Sequence, residues 1–233
     1  MEAGAARDPL RGETALERSA AAVPRTADPG PLGLAAFALT TFCLSMINSQ
    51  LVGEASVPIV LGLALAYGGL AQILAGMWEF RTGNTFGATA FTSFGAFWLS
   101  FWAFEQFFAD KVPAAHLGDT VGLYLIAWGI FTTYMWVASL RTTAAISLVF
   151  ALLAATFIIL GIGNAQNDAD VVKIGGYVGI ATAVVAWYAS FAVVTNSTFG
   201  RTILPVIPLQ PGARAERTSR RHVAVDREPV ARS

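Results

Sequence analysis

Six long apolar runs, separated by short polar breaks, constrain the fold of this chain more than any other feature. A helix needs about 20 apolar residues to cross the hydrocarbon core of a bilayer. The sequence reaches that length six times, over residues 32–52, 57–80, 86–108, 120–140, 143–163 and 174–195. A transmembrane β-barrel would instead show alternating segments of about ten residues. The sequence therefore predicts an all-α integral membrane protein, a bundle of six transmembrane helices.

The two ends of the chain differ in character from the apolar middle. Overall, 55% of the residues are hydrophobic, 13% are charged and the mean hydropathy is +0.58, but most of the charge lies near the termini. We expect a disordered N-terminal tail over residues 1–30, a transmembrane domain over 31–204 and a disordered Arg-rich tail over 205–233. The first thirty residues hold no apolar core typical of a signal peptide, so the chain should enter the membrane through its first helix.

The arginines indicate the orientation of the helices. Counted against the predicted spans, all of them fall before the first, after the sixth, or in the second and fourth breaks, at Arg81 and Arg141. The other loops carry only Lys111 and Lys173, diluted by acidic residues. Because cytoplasmic loops are enriched in basic residues, we expect both termini to be cytoplasmic in a multi-pass protein of the cell membrane.

The reactive side chains argue against several classes of function. His116 falls in an outside loop, His222 falls in the C-terminal tail, and Cys43 is the only cysteine. No catalytic triad, metal-ligand cluster or cofactor motif lies within the spans, so we expect no enzyme, metal or cofactor. Basic residues cluster in tails and loops rather than on a folded face, so we expect no nucleic-acid partner. No lysine or arginine within a span could hold an anion by fixed charge.

Polar residues inside the spans form stripes along three helices. Helical spacing places Thr41, Ser45 and Asn48 on one face of the first helix and a second threonine set, Thr85, Thr89 and Thr92, on one face of the third. Gln72 lies near the middle of the second helix, one heptad before Glu79 and so on roughly the same face. Such groups can bond neighbouring helices together, but three stripes also fit a narrow polar path for a small uncharged solute, or for an anion accompanied by its proton.

The stretch between the second and third apolar runs, WEFRTGNTFGATAF (78–91), is unusually polar. Glu79 and Arg81 fall at the cytoplasmic end of the second span, where they can act as interface anchors and pair with each other. Asn84 and Thr85 fall where the third helix begins, as residues that cap free backbone N–H groups. A helix start also favours a carboxylate, so capping and anion binding are both open to them.

Three blocks of sequence resemble a known family. DPGPLGLAAF (28–37), AGMWEFRTGNTFGATAFTSFGAFWLS (75–100) and FGRTILP (199–205) are similar to signatures of the acetate uptake transporters, the succinate-acetate permeases of bacteria and their fungal relatives. The signature residues are Asp28, Pro29, Pro31 and Gly33, and Asp28 replaces the usual Asn. The resemblance implies a homo-hexamer with one pathway in each six-helix subunit. It also implies uptake of acetate and other short monocarboxylates, in some members succinate, with a proton.

The same resemblance implies roles for individual residues. Phe37, Phe94 and Leu153 would form an apolar constriction, with Phe94 standing where the family usually has Tyr. Polar groups along the substrate pathway would flank it, and these are Thr40, Tyr67, Gln72, Asn84 and Thr85. On the alternative interpretation, the two phenylalanines are ordinary core aromatics.

Two other functions use the same sequence features. A passive channel for small carboxylates or neutral solutes needs the same stripes and constriction, without coupling to protons. A membrane sensor on the same scaffold would use the Arg-rich tail to bind a partner, whereas a positively charged anchor would bind anionic lipid. Gly175 and Gly179 have the spacing that lets helices approach closely, either between subunits or within one.

Overall fold

The computed structural model describes residues 26–209, so most of both predicted tails lies outside the described residues. Each of the six predicted runs corresponds to one long helix. The helices are α1 Gly30–Asn48, α2 Glu54–Thr82, α3 Thr85–Phe107, α4 Ala114–Ser139, α5 Ala144–Ala165 and α6 Ala169–Thr198. Within the described part of the chain the only β pairing is an isolated bridge between Thr143 and Pro208. The predicted all-α class is confirmed.

Three of the six helices, α3, α5 and α6, begin at a polar side chain that caps them, and such a cap can lie outside the apolar run. Asp168 accepts hydrogen bonds from the backbone N–H groups of Asp170 and Val171 at 3.0 and 3.1 Å, so α6 begins five residues before its predicted start. Five of the six helices are long and apolar enough to cross a membrane. The exception is α3, whose apolar residues are interrupted by threonines, serines and glycines.

The bundle is built from close helix pairs: α1 packs against α6, α6 against α5, α5 against α4, and α2 against α3. Glycines allow the close approach. A methyl group added at Gly175 would lie 2.6 Å from the side chain of Leu160, and one at Gly179 would collide with Ser45. These two glycines therefore pack α6 against α5 and α1 within one chain, which is the second of the two roles open to them from sequence.

The second helix contains a π-helical segment at its centre. A 3₁₀ turn (Glu54–Ser56) leads into the α-helix Val57–Leu65, the π-helix Ala66–Ala71 follows, and the α-helix Gln72–Thr82 completes α2. π-helical turns are rare and are frequent at functional sites. Two of the predicted pathway residues are placed by this segment, Tyr67 within it and Gln72 directly after it.

The chain after α6 returns across the end of the bundle. The Asn196 side chain accepts hydrogen bonds from the backbone N–H groups of Ile203 and Leu204 at 2.7 and 2.9 Å. The N–H of Ala144 donates to Ile207 O at 2.8 Å. The first five residues of the predicted C-terminal tail, 205–209, therefore lie against the turn that joins α4 and α5.

Candidate functional site

An aromatic cluster fills the centre of the bundle, and Phe94 of α3 lies in its middle. Five other rings surround Phe94 at centroid distances between 5.4 and 6.4 Å, and these belong to Phe37, Trp128, Phe131, Phe150 and Phe157. Phe94 is 3% exposed. Rings at these separations attract each other beyond the area they bury, so the cluster is a close-packed part of the buried core.

The three residues predicted for the constriction come together in this cluster. Phe37 of α1 lies 5.9 Å from Phe94, and Leu153 of α5 belongs to the same buried core. Leu153 lies one turn from both Phe150 and Phe157, the α5 residues whose rings contact Phe94. Their convergence from α1, α3 and α5 fits an apolar constriction and also fits an ordinary core, as both interpretations of the sequence allow.

Two of the predicted polar residues are buried beside the π-helical segment. Thr40 of α1 packs against Gly68 of α2, where an added methyl group would lie 2.6 Å from Thr40 Oγ1. Gln72 follows one helical turn later on α2 and is 1% exposed, and its Oε1 has no hydrogen-bond partner in the part of the chain that the structure describes. A buried polar atom without a partner destabilises a protein. This cost makes Gln72 a candidate for ligand binding.

The other three predicted polar residues lie nearer the surface. Tyr67 is half-buried within the π-helical segment, and Asn84 and Thr85 are exposed at the start of α3. Asn84 caps α3 as predicted, because its Oδ1 accepts from the N–H of Gly87 at 3.1 Å. The structure therefore brings Thr40 and Gln72 together in the interior and leaves Asn84 and Thr85 at one end of the bundle.

Glu79 is a buried carboxylate rather than the interface anchor that the sequence suggested. It is 2% exposed, the Thr82 hydroxyl donates to its Oε2 at 3.1 Å, and a methyl group added at Gly87 of α3 would lie 2.9 Å from its Oε1. Arg81, its proposed partner, instead lies over the Trp78 ring at 5.7 Å from the centroid. The Glu79 carboxylate thus links the end of α2 to the start of α3.

The signature residues 28–33 shape the start of α1. Asp28 Oδ1 accepts from the N–H of Gly30 at 2.8 Å, so the Asp satisfies a free N–H as predicted, although the N-cap position itself is Pro29. Pro31 falls in the first turn, where its missing N–H costs nothing. Gly33 lets α1 approach α3, because a methyl group there would lie 2.6 Å from the Phe91 ring.

Asp28 and Glu79 approach the same point at this end of the bundle. A methyl group added at Gly30 would lie 3.0 Å from Asp28 Oδ1 and 3.4 Å from Glu79 Oε1. Asp28 also lines a cleft of about 440 Å³ between α1 and α6. The end of the bundle that carries Asn84 and Thr85 therefore also carries two neighbouring carboxylates.

The interior holds other buried polar groups. Three of them have no hydrogen-bond partner among the described residues, and two others pair with each other between helices. The Thr41 and Thr92 hydroxyls and the Trp98 indole N–H have no hydrogen-bond partner among the described residues. The Thr156 and Thr182 hydroxyls lie 3.2 Å apart between α5 and α6. The polar stripes included Thr41 and Thr92, but Thr156 and Thr182 stand singly in apolar runs, so no sequence signal indicated that they pair.

Comparison with known proteins decides the family. The sequence model of the GPR1/FUN34/yaaH family matches residues 11–211. The chain belongs to this family. Its relatives include acetate permease A of Emericella nidulans, 42% identical over 208 residues that cover 82% of this chain and 70% of the relative. The family indicated by the three sequence blocks is thus confirmed.

Two bacterial comparisons cover nearly the whole of the related protein. The succinate-acetate/proton symporter SatP of Escherichia coli is 38% identical over 183 residues, which cover 78% of this chain and 96% of SatP. A solved structure described as the bacterial acetate channel SatP superposes with a TM-score of 0.73 at 37% identity, covering 78% of this chain and 99% of that one. The present chain therefore shares the fold of SatP and is a multi-pass membrane protein.

Proposed function

We propose that the protein transports acetate and other short monocarboxylates across the membrane through a pathway in each subunit. The observation that carries the proposal is the buried Oε1 of Gln72, which has no hydrogen-bond partner among residues 26–209. A hydrogen-bonding group at this depth costs stability unless something binds it. The printed names of the relatives, an acetate permease and a succinate-acetate symporter, supply the substrate class.

The chemistry of the cluster favours passage of the acid together with a proton. Phe37, Phe94 and Leu153 belong to the buried apolar core, and within residues 26–209 no lysine or arginine is buried with them. Moving an ionised carboxylate into such surroundings is far more costly than moving a neutral acid. We therefore infer proton-accompanied transport of acetate, with succinate as a slower substrate because it is larger and carries a second carboxyl group.

A passive channel is the second candidate function, and one specific observation favours it. The solved structure of SatP is described as an acetate channel, whereas the E. coli protein of that name is described as a proton symporter. The same apolar constriction serves both mechanisms. What separates them is whether a proton gradient drives acetate movement.

The membrane arrangement completes the proposal. We infer that all six helices span the cell membrane and that both termini are cytoplasmic, as the distribution of arginine predicts. We also infer assembly into a homo-hexamer. Exposed apolar residues along α2 and α4, such as Ile59, Leu74, Leu123 and Ile130, provide surface for lipid and for neighbouring subunits.

A single introduced cysteine tests this topology. With Cys43 replaced by alanine, a cysteine at Asn167, beside the N-cap of α6, should react with an impermeant thiol reagent added outside intact cells. A cysteine at Gly83, in the turn between α2 and α3, is the matched control and should react only after the membrane is opened. The reverse pattern would contradict the cytoplasmic placement of the termini.

The transport function itself is tested by acetate flux into lipid vesicles that contain the purified protein. We expect labelled acetate to enter these vesicles faster than protein-free vesicles of the same lipid. Uptake equal to that of protein-free vesicles would contradict the proposal.

A further inference from the structure

The hydroxyl of Thr92 differs in its hydrogen bonding from the hydroxyls of most other helix threonines in residues 26–209. Seven of them donate to the backbone carbonyl four residues earlier, as in Thr40 to Ala36 at 2.9 Å and Thr132 to Trp128 at 2.7 Å. The Thr92 hydroxyl is buried and makes no such bond. Threonine in a helix readily satisfies its hydroxyl in this way. The unbonded Thr92 hydroxyl is therefore available to bind a ligand.

Thr92 contacts α2 one helical turn away from Gln72. On α2, Gly68, Gln72 and Gly76 follow each other at intervals of four residues, so they lie along one face of the helix. Gly68 packs against Thr40 of α1, and a methyl group added at Gly76 would collide with Thr92 of α3. Gln72 therefore lies between the points where α1 and α3 contact α2, one turn from the Thr92 contact.

Two unpartnered polar atoms of opposite character thus occur in one region of the interior. The Thr92 hydroxyl can donate a hydrogen bond, and Gln72 Oε1 can only accept one. A protonated carboxyl group carries the complementary pair, a carbonyl oxygen that accepts and a hydroxyl that donates. An ionised carboxylate has no proton to give to Gln72 Oε1.

We propose that Thr92 and Gln72 together bind the protonated carboxyl group of the substrate, with Thr92 donating to its carbonyl oxygen and Gln72 Oε1 accepting from its hydroxyl. This inference rests on the proposed transport function and adds Thr92 to the residues that the family resemblance implied. Gly76 keeps Thr92 close to α2, because any larger residue there would displace it. The arrangement selects the neutral acid over its anion.

Replacing Thr92 by valine or serine tests the inference. Thr92→Val keeps the shape and removes the hydroxyl, so the acetate concentration for half-maximal flux should rise about three- to tenfold. Thr92→Ser restores the hydroxyl and should stay within about twofold of the parent. The melting temperature of Thr92→Val should not fall, because the parent hydroxyl makes no hydrogen bond to any of the described residues. Thr132→Val, a buried threonine whose hydroxyl is satisfied, is the matched control and should leave the flux constants unchanged.

A second measurement separates this inference from the transport function. Acetate added at acidic pH should raise the melting temperature of the detergent-solubilised parent protein more than that of Thr92→Val. If the parent shows this shift but no flux, the transport proposal fails and the binding site stands. An unchanged half-maximal concentration in Thr92→Val, or an equal acetate shift in both proteins, would overturn the inference.

Discussion

Leu153→Ala is expected to admit larger acids, such as lactate and succinate, faster than the parent protein does and to weaken the preference for acetate. Leu153 is 4% exposed and lies one turn from Phe150 and Phe157, which contact Phe94. Removing most of its side chain opens space where the proposed pathway is narrowest. The ratio of lactate flux to acetate flux, measured in the same vesicles, reports the change.

The controls for Leu153 must separate selectivity from stability. Truncating a buried leucine costs about 2–5 kcal/mol, so the folded fraction must be measured, and Leu153→Val provides a milder second variant. Leu160→Ala removes the same atoms from α5 two turns away, where Leu160 packs against Gly175 of α6, and should leave the substrate ranking unchanged. The constriction is ruled out if folded Leu153→Ala and Leu153→Val both keep the ranking of the parent.

Gln72→Leu is expected to weaken acetate binding while leaving the protein as stable as the parent, or more so. Gln72 Oε1 is buried and has no hydrogen-bond partner among the residues described, so an apolar side chain of similar size removes an unsatisfied group. Losing its hydrogen bond to the substrate should cost about 0.5–1.5 kcal/mol of binding free energy. Most buried polar residues that bond helices together would show the opposite pattern, with lower stability and unchanged affinity.

The measurements for Gln72 are the half-maximal acetate concentration and the melting temperature of the purified protein. Leu74→Met, two residues along on the exposed side of α2, is the matched control and should change neither. A Gln72→Leu protein that melts at a lower temperature and transports acetate with unchanged affinity would contradict the prediction. Gln72 would then have only a structural role.

The helices could be predicted from sequence because length and apolarity are properties of single segments. Their ends were less accurate, since residues such as Asp168 cap a helix beyond its apolar part. The π-helical segment Ala66–Ala71 could not be foreseen, because Gly68 and Gly69 permit such a turn without requiring it. The segment packs against α1 and α3, and these contacts exist only in the assembled bundle.

The candidate site could be predicted only where a motif fixed the positions. Phe37 and Phe94 lie within the signature blocks, and the structure places them 5.9 Å apart. Glu79 illustrates the limit, because its place at a helix end indicated exposure, yet the starts of α1 and α3 cover it. Thr92 illustrates the same limit, since sequence gives its helix face but not whether its hydroxyl is bonded.

The most direct test of the account is the flux of labelled acetate into vesicles that hold the purified protein, with and without a pH gradient. Protein-free vesicles measure the rate at which acetic acid crosses the lipid without the protein, and this background rate is subtracted. We predict protein-dependent uptake that accelerates when the outside is made acidic at constant total acetate, because the neutral acid crosses the apolar constriction more easily than its anion. Protein-dependent uptake that ignores the gradient would contradict proton-accompanied transport, and the absence of any protein-dependent uptake would contradict the transport function itself.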